Sequence, residues 1–267
     1  MSKRMPTLFI PHGGGPCFFM DWTMGPANTW ERMRAWLEAL PSTLPEKPKA
    51  ILVISGHWET RIPTLLGAPR PALYFDYYGF PKHTYELTWP APGAPALATR
   101  VRELLTKANI ESATDDERGY DHGVFVPLKV AFPEAEIPTL QLSLKEELDP
   151  AEHIAIGRAL APLRDEGVLI VGSGMSYHNM RGFMSGSGRG ASERFDTWLA
   201  DAVERDPSAR DEALTKWSGA PAARESHPRE EHLLPLMVAA GAAGDDRGRR
   251  IFRDEVMGVF VSAVQFG

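Results

Sequence analysis

Three of the eight histidines in this 267-residue chain share one kind of position. His12 follows the apolar run "TLFI" (7–10), His57 follows "AILVISG" (50–56), and His178 lies four residues beyond "GVLIVGSG" (167–174). Each run has strand length and is rich in β-branched residues, so each histidine is expected just past the carboxyl end of a buried strand. In open α/β sheets that edge is where ligand crevices form, so strands distant in sequence can deliver three imidazoles to one place. Neutral imidazole is a usual biological ligand of Zn²⁺ and Fe²⁺, and the glycines beside His12 and His57 would let an ion or substrate approach the backbone. A lone loop histidine is ordinarily a hydrogen-bonded structural residue. Three in the same topological position point instead to a shared metal site.

The segment "ESHPREEHLLPL" (225–236) adds His227 and His232 with two glutamates between them. Pro228 suits the first position of a helix, which would place His227 at its cap. Five residues at about 100° each then set the two histidines about 140° apart, unlike the i, i+4 spacing of a zincin motif. His232 shares a stripe with Leu236, Ala239 and Ala240 and is expected to face inward. Pro235 is expected to bend the helix beside it. Glu230 would complement the helix dipole, and Glu231 rivals His232 as a fourth contributor to the site.

The other histidines read differently. His153, beside Glu152 on an amphipathic helix, reads as a solvated residue. His122, in "GYDHGVFVPL", is flanked by Asp121, a carboxylate that could raise its pKa if the two side chains meet. Tyr78, Phe80 and His83 belong to the loop "YYGFPKHTYELTWPAPGAP". Such a loop either walls a pocket for a planar ligand or forms a rigid surface cover. Cys17, near His12, reads as a buried structural thiol.

The elements that must position these residues are legible as alternation. A fourth apolar run, "IPTLQLSL" (137–144), joins the three above. Helical spacing appears in "PANTWERMRAWLEAL" and "PALATRVRELLTKA". Asp149 and Pro150 read as the cap and first residue of the next helix, with Gly167 stopping the chain before the following strand. The expected fold is α/β, a mostly parallel central sheet flanked by helices. It forms a single domain over 1–267 with a small helical section near 190–217. "MRGFMSGSGRGASE" (180–193) reads as a flexible loop, and the tail from Arg250 as terminal strands.

Composition bounds the function. At 43% apolar and 24% charged, the chain is an ordinary globular protein. Its net charge of -6 is spread along the sequence with no basic block, so nucleic acid is not an expected partner. No run approaches the roughly 20 apolar residues that cross a bilayer, so no membrane is expected. The apolar stretch at the N-terminus is too short for a signal peptide, and one cysteine permits no internal disulfide, so the expected location is cytoplasmic.

Six segments occur together in order: "PHGGGP", "VISGHWET", "YYGFPKHTYELTWPAPGAPALA", "YDHGVFVPL", "SGMSYHNMR" and "HPREEHLLPL". In this the chain resembles the class III extradiol ring-cleavage dioxygenases of the 4,5-DOPA dioxygenase type, over nearly its whole length. The resemblance implies an α/β core and a non-haem metal, Fe²⁺ for activity and often Zn²⁺ as isolated. It also implies cleavage of a small aromatic diol by O₂ beside its two hydroxyls, giving a ring-opened semialdehyde, with a DOPA-like substrate as one candidate. Carried over, it makes His12, His57 and His232 metal ligands, places His178 at or beside the metal, and makes His122 an acid/base group near the substrate. Two departures stand out. The family's His-Gly-Ser-Pro turn is here one residue longer, as His12-Gly13-Gly14-Gly15-Pro16. Related enzymes take a glutamate as third ligand, where this chain has His232 preceded by Glu230 and Glu231.

The chemistry suits these residue types. Three protein ligands on one side of an ion leave open positions for both catechol oxygens and for O₂. A base must take a phenolic proton and an acid must later return one, roles that a histidine with a pKa near roughly 6.5 can fill. His178 is the first candidate and His122 the second. Two alternatives stay open: a Zn²⁺ hydrolase on the same ligands, using Glu59 or Glu231, and a non-catalytic metal- or ligand-binding relative.

Overall fold

The computed structural model describes residues 3–267. Its strands are β1 (Thr7–Pro11), β2 (Ala50–Thr60), β3 (Thr64–Leu66), β4 (Ala113–Asp115), β5 (Thr139–Lys145), β6 (Val168–Gly174), β7 (Gly248–Val256) and β8 (Val259–Phe266). They form one sheet in the order β4-β3-β5-β2-β6-β1-β8-β7. The central strands β5, β2, β6 and β1 are parallel, while β3 and β8 join them antiparallel. The tail forms the β7–β8 hairpin, as expected.

The helices are α1 (Glu31–Thr43), α2 (Pro95–Lys107), α3 (His122–Ala131), α4 (Pro150–Leu160), α5 (Met180–Ser185), α6 (Arg189–Glu204), α7 (Pro207–Thr215), α8 (Ala223–Ser226) and α9 (Leu234–Ala243). α2, α4 and α9 pack with Leu52, Ile54, Leu142 and Ile170 on one face of the sheet. α1 and α3 pack with Ile51, Val53, Leu169 and Val171 on the other. Alternate residues of each central strand therefore serve different cores, which is why those strands read as unbroken apolar runs. α9 is apolar all round because all of it is buried. Asp149 caps α4 as expected, accepting from the Glu152 amide at 2.9 Å. The helical section near 190–217 is α6 and α7.

Several expectations need correction. No helix starts at Pro228. Residues 228–233 form turns, and α9 begins at Leu234 with Pro235 in its first turn, where a missing N–H costs nothing. Pro235 therefore starts the helix instead of bending it. The angular argument that separated His227 from His232 loses its premise, and Glu230 pairs with Arg224 at 2.6 Å instead of serving a dipole. His153 is buried, not solvated. Its Nδ1 lies 2.7 Å from the Asp149 carbonyl and its Nε2 accepts from the Lys145 amide at 3.1 Å, a fully satisfied core histidine. Part of 180–193 is ordered as α5, which Asn179 caps through the amides of Arg181 and Gly182. Among the described residues no helix is long and apolar enough to cross a membrane.

Candidate metal centre

The carboxyl edge of the parallel strands gathers five imidazoles. Pro11 pairs with Gly174 and Ser55 with Ser173, so the chain leaves β1 and β6 at one level, and β2 runs past it. His12 begins the loop after β1, its amide donating to the Gly174 carbonyl at 3.2 Å. His57 lies inside β2, three residues before its end. The segment 231–235 is laid directly on these strand ends, and the Met175 amide donates to the His232 carbonyl at 3.0 Å. Only glycine allows this contact. A Cβ on Gly174 would sit 2.1 Å from the His232 carbonyl oxygen, and one on Gly172 would sit 2.3 Å from that of Pro235.

His12, His57 and His232 converge. Nε2 of His57 lies 3.1 Å from Nε2 of His12 and 3.2 Å from Nε2 of His232. The three ring centroids form a near-equilateral triangle with sides of 4.8, 4.7 and 5.2 Å. Nitrogens each ~2.1 Å from one ion, at angles of roughly 90–109°, stand about 3.0–3.4 Å apart. The two separations that His57 makes match that spacing, as a borderline divalent cation requires of its nitrogen ligands.

The far side of each ring is held as such a ligand requires. Ser173 Oγ donates to the Gly123 carbonyl, leaving its lone pair for His12 Nδ1 at 3.3 Å. His232 Nδ1 donates to Glu231 Oε1 at 2.9 Å. His57 Nδ1 faces Asp76 Oδ2 at 3.7 Å. These partners put the proton on Nδ1 of His12 and His232 and leave Nε2 as the free lone pair. Burial first, and mutual repulsion second, push His12 and His57 well below the ordinary imidazole pKa. Burial and His178 push His232 down to about 4 against the pull of Glu231. All three are thus neutral near pH 7, the form that binds metal.

Two further histidines flank the trio. His122 opens α3, and both its amide and its Nδ1 donate to Asp76 Oδ1, at 2.9 and 2.8 Å. Its ring stands 3.9 Å from that of His57, and its ligand atom clusters with those of His12 and His57. Sequence adjacency suggested Asp121 as its partner, but Asp121 is buried among Ser55 and Gln141. His178 stacks on His232 at 3.4 Å, and its Nδ1 lies 3.1 Å from Glu231 Oε1. Burial opposes ionisation of Glu231, yet hydrogen bonds from His178 and His232 outweigh it and hold the carboxyl well below its usual range. Glu231 is thereby engaged in orienting two histidines.

A cavity of about 240 Å³ opens over these rings, at the small end for ligand pockets. Gly13, Gly14, Gly15 and Phe80 line it, and so do Trp22 and Trp30. Tyr78 and His83 do not. Gly79, at φ +78°, turns the chain so that Phe80 packs on Gly15 while Tyr78 is left 91% exposed. His83 lies on the surface, its Nε2 3.1 Å from the Phe19 carbonyl. Sequence reasoning missed Asp76, whose only signal was an acid beside the aromatic loop. It missed the Trp and Met lining altogether. Cys17 is buried, burial pushes its thiol pKa up, and it neither lines the cavity nor clusters with the histidines, in keeping with a structural thiol.

An α/β sheet that carries neutral imidazoles at its carboxyl edge, beneath an apolar cavity, is the framework of a metal-dependent enzyme for a small molecule. Comparison with known proteins gives the family: the chain belongs to the one described as the catalytic LigB subunit of aromatic ring-opening dioxygenase, matched over residues 6–264. It is 43% identical to the 4,5-DOPA dioxygenase extradiol of Portulaca grandiflora, over 90% of this chain and 86% of that one. It is 41% identical to that of Beta vulgaris, over 90% and 87%. The crystal structure of an uncharacterized protein from Escherichia coli K12 matches with a TM-score of 0.78 at 32% identity, covering 99% of this chain and 100% of that one. The chain is therefore a metal-dependent aromatic ring-opening dioxygenase of the extradiol class.

Proposed function

We propose that the enzyme is Fe²⁺-dependent, with residues 1–267 as one catalytic domain, and cleaves a catechol beside its two hydroxyls to a ring-opened semialdehyde. His12, His57 and His232 hold the ion through Nε2. The observation that carries this reading is that Nε2 of His57 lies 3.1 Å from that of His12 and 3.2 Å from that of His232, with the three rings within 5.2 Å of one another. Bound there, Fe²⁺ would supply the Lewis acidity and the redox chemistry with O₂; Zn²⁺ suits the same nitrogens but has no redox chemistry.

The protein's own groups handle protons and position. With Nδ1–H held by Glu231, His178 presents its Nε2 lone pair as the base for the phenolic proton, and returns that proton as acid. His122, fixed in the same tautomer by Asp76, is the second such group. Phe80 and the glycines beside His12 support the ring plane and keep water out. A hydrolase reading lacks a free carboxylate: Glu59 is paired with Arg229, and Glu231 with two histidines. The cytoplasm, a reducing compartment, suits a ferrous ion and a lone thiol.

The test is anaerobic loading with Fe²⁺ followed by O₂ and a catechol panel that includes DOPA, the compound in the relatives' names. A yellow product with one O₂ consumed per ring is expected. No O₂ uptake with any catechol overturns the reading.

A further inference from the structure

The walls of the cavity are chemically one-sided. None of the residues that line it is Lys, Arg, Asp or Glu. Beyond the histidines, the only polar side-chain atoms it contains belong to the indoles of Trp22 and Trp30, both neutral. The rest is aromatic carbon, glycine backbone and five methionines: Met24, Met175, Met180, Met184 and Met257. Three of these are exposed at the mouth, Met24 by 45%, Met180 by 58% and Met184 by 68%. They are three of the five large apolar side chains that the described residues leave exposed. Apolar surface concentrated at the rim of a pocket marks a surface made to be covered, and methionine adapts to varied apolar shapes.

Several charges on segments near the site are engaged elsewhere, and the exposed Asp21 beside Trp22 is not part of the wall. Arg229 pairs with Glu59 and Glu231. Arg118 lies between the rings of Trp58 and Tyr74 and pairs with Asp121. Arg189 pairs with Glu255. Asp76 is taken up by His122 and His57. Arg181, next to Met180 on α5, is exposed and is not part of the wall.

We propose that this site takes catechols whose ring substituent is uncharged and apolar, alkyl or aryl, in preference to those bearing a carboxylate or an ammonium. The proposal rests on the reading of the site as a catechol dioxygenase. The two hydroxyls face the imidazole cluster, so the substituent must lie along the Trp and Met walls. A charged substituent leaves water there without gaining a counter-charge, a penalty that the apolar isostere does not meet. Discrimination of this kind comes to about 10- to 100-fold in kcat/KM.

The experiment compares unsubstituted catechol, 4-propylcatechol, 3-(3,4-dihydroxyphenyl)propanoate, dopamine and DOPA on the Fe²⁺-loaded enzyme, reading O₂ uptake and product absorbance. The expected result is a kcat/KM for 4-propylcatechol about 10- to 100-fold above those of its three charged counterparts. Met184→Arg should supply the missing cation and raise the kcat/KM of the propanoate about tenfold relative to 4-propylcatechol. Arg181→Ala should leave the wild-type ratio where it was. DOPA or the propanoate cleaved as efficiently as 4-propylcatechol overturns the proposal while the dioxygenase reading stands. So does a selective loss of carboxylate turnover in Arg181→Ala, since a cation would then already serve the mouth. Failure to cleave any of the five, unsubstituted catechol included, overturns the dioxygenase reading itself and this proposal with it.

Discussion

The carbonyl oxygen of His232 rests against Gly174 so closely that a Cβ at that position would stand 2.1 Å away. A glycine at the last residue of a central strand thus seats a histidine more than fifty residues further along the chain. Gly174→Ala is expected to push the 231–235 segment off the sheet, moving Nε2 of His232 away from those of His12 and His57. Backbone atoms cannot yield as a flexible side chain does, so the cost is on the order of 1–3 kcal/mol of stability or more, together with weaker metal binding. Denaturant midpoints and metal content measure both. An alanine variant with native stability and full metal content would refute the role given to this contact.

Removing an imidazole should separate ligands from bystanders. His12→Ala, His57→Ala and His232→Ala should each come through purification and dialysis without bound metal. His153→Ala should keep its metal but lose about 1–3 kcal/mol of stability, because the Lys145 amide loses a buried acceptor. Elemental analysis beside thermal melts decides the matter. Full occupancy in any of the first three would remove that residue from the ligand set.

Residues that steer protons should affect turnover more than metal content. His178→Gln is expected to lower kcat by about 10²- to 10⁴-fold with Fe²⁺ still bound. Loss of the metal in that variant would instead make His178 a ligand. Asp76 acts through its two neighbours, and Asp76→Asn should cost about 10- to 100-fold in activity or metal affinity. Because its effect on proton transfer runs through His122, the pH profile of kcat should shift in Asp76→Asn, whereas a purely structural loss would lower the rate equally at every pH.

Much of this architecture is legible in the sequence. The four central strands are buried on both faces, so they appear as unbroken apolar runs, and His12 and His178 fall beyond them at the crevice edge; His57, expected beyond its strand, lies inside β2, which runs on past its neighbour β6. β3 and β4 are three residues each, too short for any period to register. α3 is buried along its length and contains Pro127, so it shows no polar face and carries a breaker. The turn at 228–233 reads as helix in the sequence because Pro228 and Pro235 are both acceptable first-turn residues, and only packing on Gly172 and Gly174 selects the second. Asp76 and the methionine wall were illegible for a different reason. Asp76, Met24, Met175 and Met257 are brought to the site by loops and turns, and Met180 and Met184 by the six-residue α5, too short for a period to record which side chain points inward.

His227 links the fold to pH. Its Nε2–H donates to the Ser176 carbonyl at 3.0 Å, its Nδ1 has no hydrogen-bond partner among the described residues, and Phe195 and Trp217 stand edge-on at 5.1 and 5.9 Å. A proton on Nδ1 would bring a charge and an unpaired N–H into an aromatic cage, so burial pushes the pKa from 6.5 down to about 3. At any pH between these two values the unfolded chain binds the proton more readily than the folded one. Stability is therefore complete above pH 6.5 and falls as the pH drops toward 3, by about 2 kcal/mol at pH 5 from this residue alone. His227→Gln can keep a donor for Ser176 but cannot titrate. Its unfolding free energy, measured by urea with chelator present to remove competition for the other histidines, should fall between pH 7 and pH 5 by about 2 kcal/mol less than that of the wild type. Parallel pH dependences in the two proteins would mean that His227 is not the group whose protonation opens the fold.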